Sequence, residues 1–140
     1  AERSLDRYGN HRGWFWQKGK PRLFKLKNIG GYDITDVAPL DDGGIVVLER
    51  RFRWLEGVKM RVRHIKAAEL KPGALVHGDV LMTADLTNEI DNMEGLAIHK
   101  GSDGALILTM VSDDNFNRFL QRTVLLQFRW QRQPGKTVRN

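Results

Sequence analysis

The chain contains no cysteine. Disulfides and thiolate metal sites are therefore excluded, although exported and cytoplasmic proteins alike can lack the residue. Serine is nearly as scarce, present only as Ser4, Ser102 and Ser112. None of the three lies in a G-x-S-x-G elbow, so the sequence gives no support to a serine triad. The histidines at 11, 64, 77 and 99 show no H-E-x-x-H spacing. Long apolar runs are missing as well. No stretch approaches the roughly 20 residues of a membrane-spanning helix, and no membrane span is expected. The opening AERSLDRYGNHRG is too polar for the apolar core of a signal peptide. A leader already removed stays open.

What is present is globular. Its 140 residues, 41% hydrophobic and 29% charged, suit one domain with its own core. The net charge is +6, from 23 Lys and Arg against 17 Asp and Glu. Such a balance favours phosphates, anionic surfaces or nucleic acid. The basic residues, however, are spread along the chain, with local density in RRFRW, MRVRH and the tail RWQRQPGKTVRN. No recognition helix, zinc-finger spacing or RNP-like strand accompanies them. A solvated basic surface is the simpler account, and nucleic acid is not expected as a partner.

Short apolar runs and period-two alternation dominate, punctuated by Gly, Asp and Asn. Strands are expected near 13–18, 22–27, 33–39, 44–50, 58–66, 79–84, 93–99, 104–112 and 121–129. Turn signals separate several of them: KGKP, LDDGG and KGSDG. Short helical turns are expected at 67–71 and 114–120, and no helix of about ten or more residues. The fold class is therefore all-β.

The strands repeat. Ile34–Ala38 aligns with Met93–Ala97, and Asp42–Val47 with Ser102–Ile107. Val58–Arg63 aligns with Gln121–Leu126. Each unit reads as strand, Asp-Gly turn, apolar strand, loop, strand, and the first adds a fourth strand at 79–84. Four antiparallel strands repeated about an axis are the grammar of a β-propeller blade. The expected organisation is a single all-β unit over 1–140. It holds a partial blade at about 13–27, a blade at about 32–85, a blade at about 91–130 and a basic tail at 131–140. Two to three blades cannot close a propeller. The remaining blades, or a second copy of the chain in a homo-oligomer, are expected to complete it.

GYDITD, LERRF, DNMEGLA and SDDNF followed by QRT, in that order, resemble the C-terminal part of the phytase-like ("esterase-like activity of phytase") domain family. The resemblance runs from about Trp14 to Phe128. It implies an exported bacterial protein, periplasmic or secreted. The implied activity is hydrolase chemistry on a phosphate ester or another ester, with a small anionic or ester substrate and Ca²⁺ chemistry at a propeller rim.

Several residues could carry that chemistry. Asp91, Asn92 and Glu94, with Asp113, Asp114 and Asn115, supply the oxygen ligands that Ca²⁺ prefers. The same residue types also cap turns, and no EF-hand spacing is present. Glu94 and, at the parallel position of the first blade, Asp36 are candidate catalytic carboxylates facing the channel. A blade-to-blade hydrogen bond is the other reading of Asp36. Arg51 and Arg53 are candidate substrate clamps, since Arg binds phosphate and carboxylate in bidentate fashion. They could equally hold a loop by pairing with Glu or Asp, or stack on Phe52 or Trp54. Alternation separates Arg50 from Glu49 and Arg51, and leaves Arg61 and Arg63 on what reads as a solvent-facing side. Trp14, Phe15 and Trp16 could form a ligand platform, or pack between blades. A non-catalytic interaction module that completes a propeller by self-association is the alternative to an enzyme.

Overall fold

The computed structural model describes residues 4–85, 93–112 and 124–131. Among the described residues ten strands appear: β1 (His11–Gln17), β2 (Lys20–Leu26), β3 (Asp33–Pro39), β4 (Ile45–Arg53) and β5 (Gly57–Ile65), then β6 (Leu75–Val76), β7 (Asp79–Asp85), β8 (Met93–Lys100), β9 (Leu106–Ser112) and β10 (Leu125–Trp130). The short helical turn expected at 67–71 is present as a 3₁₀ turn at Ala67–Glu69. The turn expected at 114–120 lies outside the described residues. All nine expected strands are present. The short β6 is the addition.

The strands form three sheets, β1-β2-β6, β3-β4-β5-β7 and β10-β9-β8. The second is a four-stranded antiparallel blade, and the third is antiparallel throughout. No closed barrel forms among the described strands, and the architecture is that of a partial propeller. Turn chemistry explains the tight connections. Asp42 accepts a hydrogen bond from the Gly44 amide, and Asp103 one from the Ala105 amide. The aligned Asp-Gly turns of the two repeats are thus built alike.

The four-stranded sheet lies between the other two, and strand alternation divides its side chains. Val46, Leu48, Met60 and Val62 face the third sheet and pack with Met93, Leu108 and Met110. Val47 and Ile65 face the first sheet and pack with Phe24, Leu26 and Val76.

The first sheet departs from the bare pair of strands at 13–27. After β5 the chain leaves the central sheet, and Leu75–Val76 pairs parallel with Lys25–Leu26 before β7 returns. The Lys25 and Lys27 amides donate to the carbonyls of Ala74 and Val76 at 2.8 Å. One connection therefore serves two sheets. Two residues are too few to show an alternating pattern, so this strand leaves no periodic signal in the sequence.

Bulges interrupt β3 between Ile34 and Asp36 and β8 between Met93 and Gly95. They fall at matching positions of the repeat. An extra residue in one strand re-aims its side chain, here Thr35 in one blade and Glu94 in the other.

Candidate functional site

The buried charge lies between the first and second sheets. Glu49 sits in the apolar run of β4, directly opposite Arg61 on β5. Its side chain is fully buried and must find cationic partners. Arg61 Nε donates to Oε2 at 2.7 Å, and Arg63 Nε to the same oxygen at 2.8 Å. Arg63 Nη2 donates to Oε1. Arg63 Nη1 reaches the carbonyls of His77 at 2.7 Å and Lys27 at 3.0 Å. Arg61 also lies over the Tyr32 ring, 4.1 Å from its centroid. This cluster ties the first sheet to the second. It corrects the reading of Arg61 and Arg63 as solvent-facing, since both are buried. The signal was Glu49 itself, a carboxylate inside GIVVLER.

One end of the blades gathers the candidate site residues that are described, Asp36, Arg51, Arg53 and Glu94. β3 begins there, the β4–β5 hairpin turns there, and β8 begins beside the end of β9, with Met93 paired to Ser112. Glu94 Oε1 stands 3.6 Å from Arg50 Nη1, an ion pair across two sheets. Both side chains remain partly accessible. The alternation that sends Arg50 to this face carries Arg51 to the other.

Arg51 and Arg53 converge on Glu56 in the same hairpin. Arg51 Nη2 lies 2.6 Å from Oε2 and Arg53 Nη1 3.0 Å from Oε1. Lys59 Nζ adds a contact at 3.0 Å to Oε2. Hydrogen bonding by Lys59, then by Arg53, holds the Glu56 carboxyl at about 2. Arg51 Nη1 donates to the Gly30 carbonyl at 2.9 Å, and its guanidinium also lies by the Tyr32 ring. Arg51 and Arg53 thus hold a loop and a hairpin, with three cations sharing one carboxylate.

Asp36 sits just past the β3 bulge. Its Oδ1 accepts from its neighbour Val37 N at 2.8 Å, and its Oδ2 from Leu96 N at 2.6 Å. The second bond crosses from one blade to the next, two residues beyond Glu94. Asp36 also lines a cavity of about 450 Å³ between the first two sheets, with His11, Phe15, Phe24 and Val47. A carboxylate has acceptor capacity beyond two bonds.

Asp91, Asn92, Asp113, Asp114 and Asn115 lie outside the described residues. Among the described residues no three Asp, Glu, His or Cys side chains converge as a cation site. Glu94, the one described member of the expected calcium set, faces Arg50. The described side chains therefore do not by themselves fit a calcium ion, which needs six to eight oxygens.

The opposite end carries a cavity of about 740 Å³ between the β3–β4 and β8–β9 turns, lined by Leu40, Asp41, His99, Lys100 and Trp130. Two ion pairs stand at it, Lys100 with Asp41 at 2.7 Å and Arg129 with Asp103. Trp14 and Trp16 stand exposed on the far face of the first sheet, while Phe15 turns inward against Phe24. No helix among the described residues is long and apolar enough to cross a membrane.

Blades stacked face to face, with acidic and basic side chains gathered at one end, define the chain as a propeller-type all-β protein. The family is more specific. Residues 3–116 match the model of the phytase-like family, described as esterase-like activity of phytase, and the chain belongs to that family. The match starts nearer the N-terminus than the motifs that first carried the resemblance, and stops short of β10. No curated protein and no solved structure matches the chain significantly.

Proposed function

We propose that the chain contributes one rim of a phytase-like propeller to the hydrolysis of a phosphate ester or another ester. The family match over residues 3–116 carries this reading. The rim is the end where Glu94 meets Arg50. There the partly accessible Glu94 carboxylate orients or deprotonates an attacking water, and Arg50 restrains it. Asp36 holds the Glu94 strand through the Leu96 amide and is the second carboxylate of the reading. Arg51 and Arg53, which with Lys59 outnumber Glu56, supply positive charge toward an anionic substrate. Calcium enters only if Asp91, Asn92, Asp113 and Asp114 join Glu94. A periplasmic or secreted location accompanies the reading.

The test is turnover of p-nitrophenyl phosphate, phytate and a p-nitrophenyl carboxylic ester, with calcium and after chelation. Turnover of at least one ester, abolished by Glu94→Gln in a chain that still melts cooperatively, is the expected result. Calcium binding is read separately, as a rise in thermal midpoint. An unchanged midpoint removes the metal from the reading.

A second reading is favoured by the exposed face that carries Trp14 and Trp16, half and about seven-tenths accessible. Here the chain is a non-catalytic module that completes a propeller by association with further blades or with its own copies. Concentration-dependent oligomers without turnover at any metal concentration would select it.

A further inference from the structure

The β4–β5 hairpin ends in Phe52-Arg53-Trp54-Leu55-Glu56-Gly57. The Glu56 amide donates to the Arg53 carbonyl at 3.0 Å, so Trp54 and Leu55 are the two central residues of a β-turn. Gly57 follows with φ of 70°, the left-handed value that lets the chain re-enter β5. Turn centres usually hold Asp, Asn, Ser, Gly or Pro, for conformational and solvation reasons. This one holds two of the largest apolar side chains. Trp54 is 88% and Leu55 96% exposed, and Phe52 beside them 62%. They touch neither core cluster. Among the described residues, neither core cluster draws on their hydrophobicity.

The surroundings indicate what would gain. The segment from Arg50 to Lys59 carries four cations, Arg50, Arg51, Arg53 and Lys59, against Glu56 alone, a net of +3 from 4 − 1. Arg50 faces Glu94 of the neighbouring blade. The other three share the single Glu56 carboxylate, which leaves unneutralised positive charge at the base of the tip. A convex apolar tip needs a partner that yields to it. A bilayer does so without a matching pocket. Trp settles at the level of the headgroups, Leu and Phe enter the acyl boundary, and basic residues close behind meet anionic headgroups.

We propose that the β4–β5 hairpin is a membrane-docking tip that inserts Trp54, Leu55 and Phe52 into the interface of an anionic bilayer, with Arg53 and Lys59 on the headgroups. The tip lies at the end that also carries the Glu94–Arg50 pair, so docking presents that end to the membrane surface. The inference does not depend on the proposed hydrolysis.

Co-sedimentation of the full chain with vesicles tests it, using phosphatidylcholine alone and phosphatidylcholine mixed with phosphatidylglycerol. The expected result is binding to the mixed vesicles that weakens as salt is raised, with a loss of about tenfold or more in Trp54→Ser/Leu55→Ser. The double variant changes exposed turn residues only, and an unaltered thermal midpoint verifies its fold. Should the variant fold poorly, the salt and lipid dependence of the wild-type chain decides by itself. Absence of wild-type binding to mixed vesicles overturns the proposal, and so does equal binding by the double variant. Loss of a self-associated species in the variant, with no wild-type vesicle binding, also overturns it and assigns the tip to a protein contact.

Discussion

Removing the negative charge from the Glu49–Arg61–Arg63 cluster is expected to be among the most damaging single substitutions in the chain. Glu49 and Arg63 are fully buried and Arg61 nearly so. Glu49→Gln keeps the shape but leaves two buried guanidinium groups without a counter-charge. Breaking a buried ion pair from one side costs about 3–5 kcal/mol. Total stabilities of single domains are about 5–15 kcal/mol, so the variant gives up a large share of the fold. The three members should not be equivalent. Arg63 makes two bonds to Glu49 and one each to the carbonyls of Lys27 and His77. Arg61 makes one bond to Glu49 and stacks on Tyr32, and its Nη2 has no partner among the described residues. The expected order of destabilisation is therefore Glu49→Gln, then Arg63→Met, then Arg61→Met. Urea unfolding followed by circular dichroism reads it, with the slope of each transition checked so that midpoints can be compared. A Glu49→Gln loss below about 1 kcal/mol would refute the reasoning, because a loss that small matches an exposed ion pair.

Three further outcomes are expected. Glu56 is held at about 2 against an ordinary 4.5, so it favours the folded state above pH 4.5 and ceases to as pH falls through 2; Glu56→Gln should flatten the thermal midpoint across that window, and an unchanged pH profile would show that the hairpin cluster contributes nothing. Asp36→Asn loses the charged acceptor between blades and should cost about 1.5–3 kcal/mol, read by the same urea titration; stability equal to wild type would mean that the Leu96 amide is satisfied without it. At Gly13 an added Cβ would fall 2.5 Å from the Phe24 ring, so Gly13→Ala should cost about 1–3 kcal/mol through overpacking, and a neutral effect in calorimetry would place Phe24 elsewhere.

The strands were legible because their signal is local. A pleated strand half-buried on one face writes a period-two pattern into consecutive residues, and Asp-Gly turns mark where it stops. β3 was expected at 33–39 and spans Asp33–Pro39. The alternation that separates Arg50 from Arg51 was likewise readable. The inward placement of Arg61 and Arg63 was not, because a sheet covered on both faces lacks a solvent side, and alternation alone cannot reveal the cover. The two readings of Asp36 were likewise open until β8 was placed beside β3 in space.

The amino-acid sequence by itself determined an all-β chain, its repeated strand–turn–strand units and its kinship with the phytase-like family. Each is carried by residues close together along the chain or by their order. Only the tertiary structure decided the partners. The parallel pairing of β6 with β2, the Asp36 bond to Leu96, the Glu94 pair with Arg50 and the burial of Glu49 between two arginines join residues distant in sequence or lying on facing surfaces. Such contacts depend on how sheets stack and where bulges re-aim side chains. A single strand's alternation has no term for either.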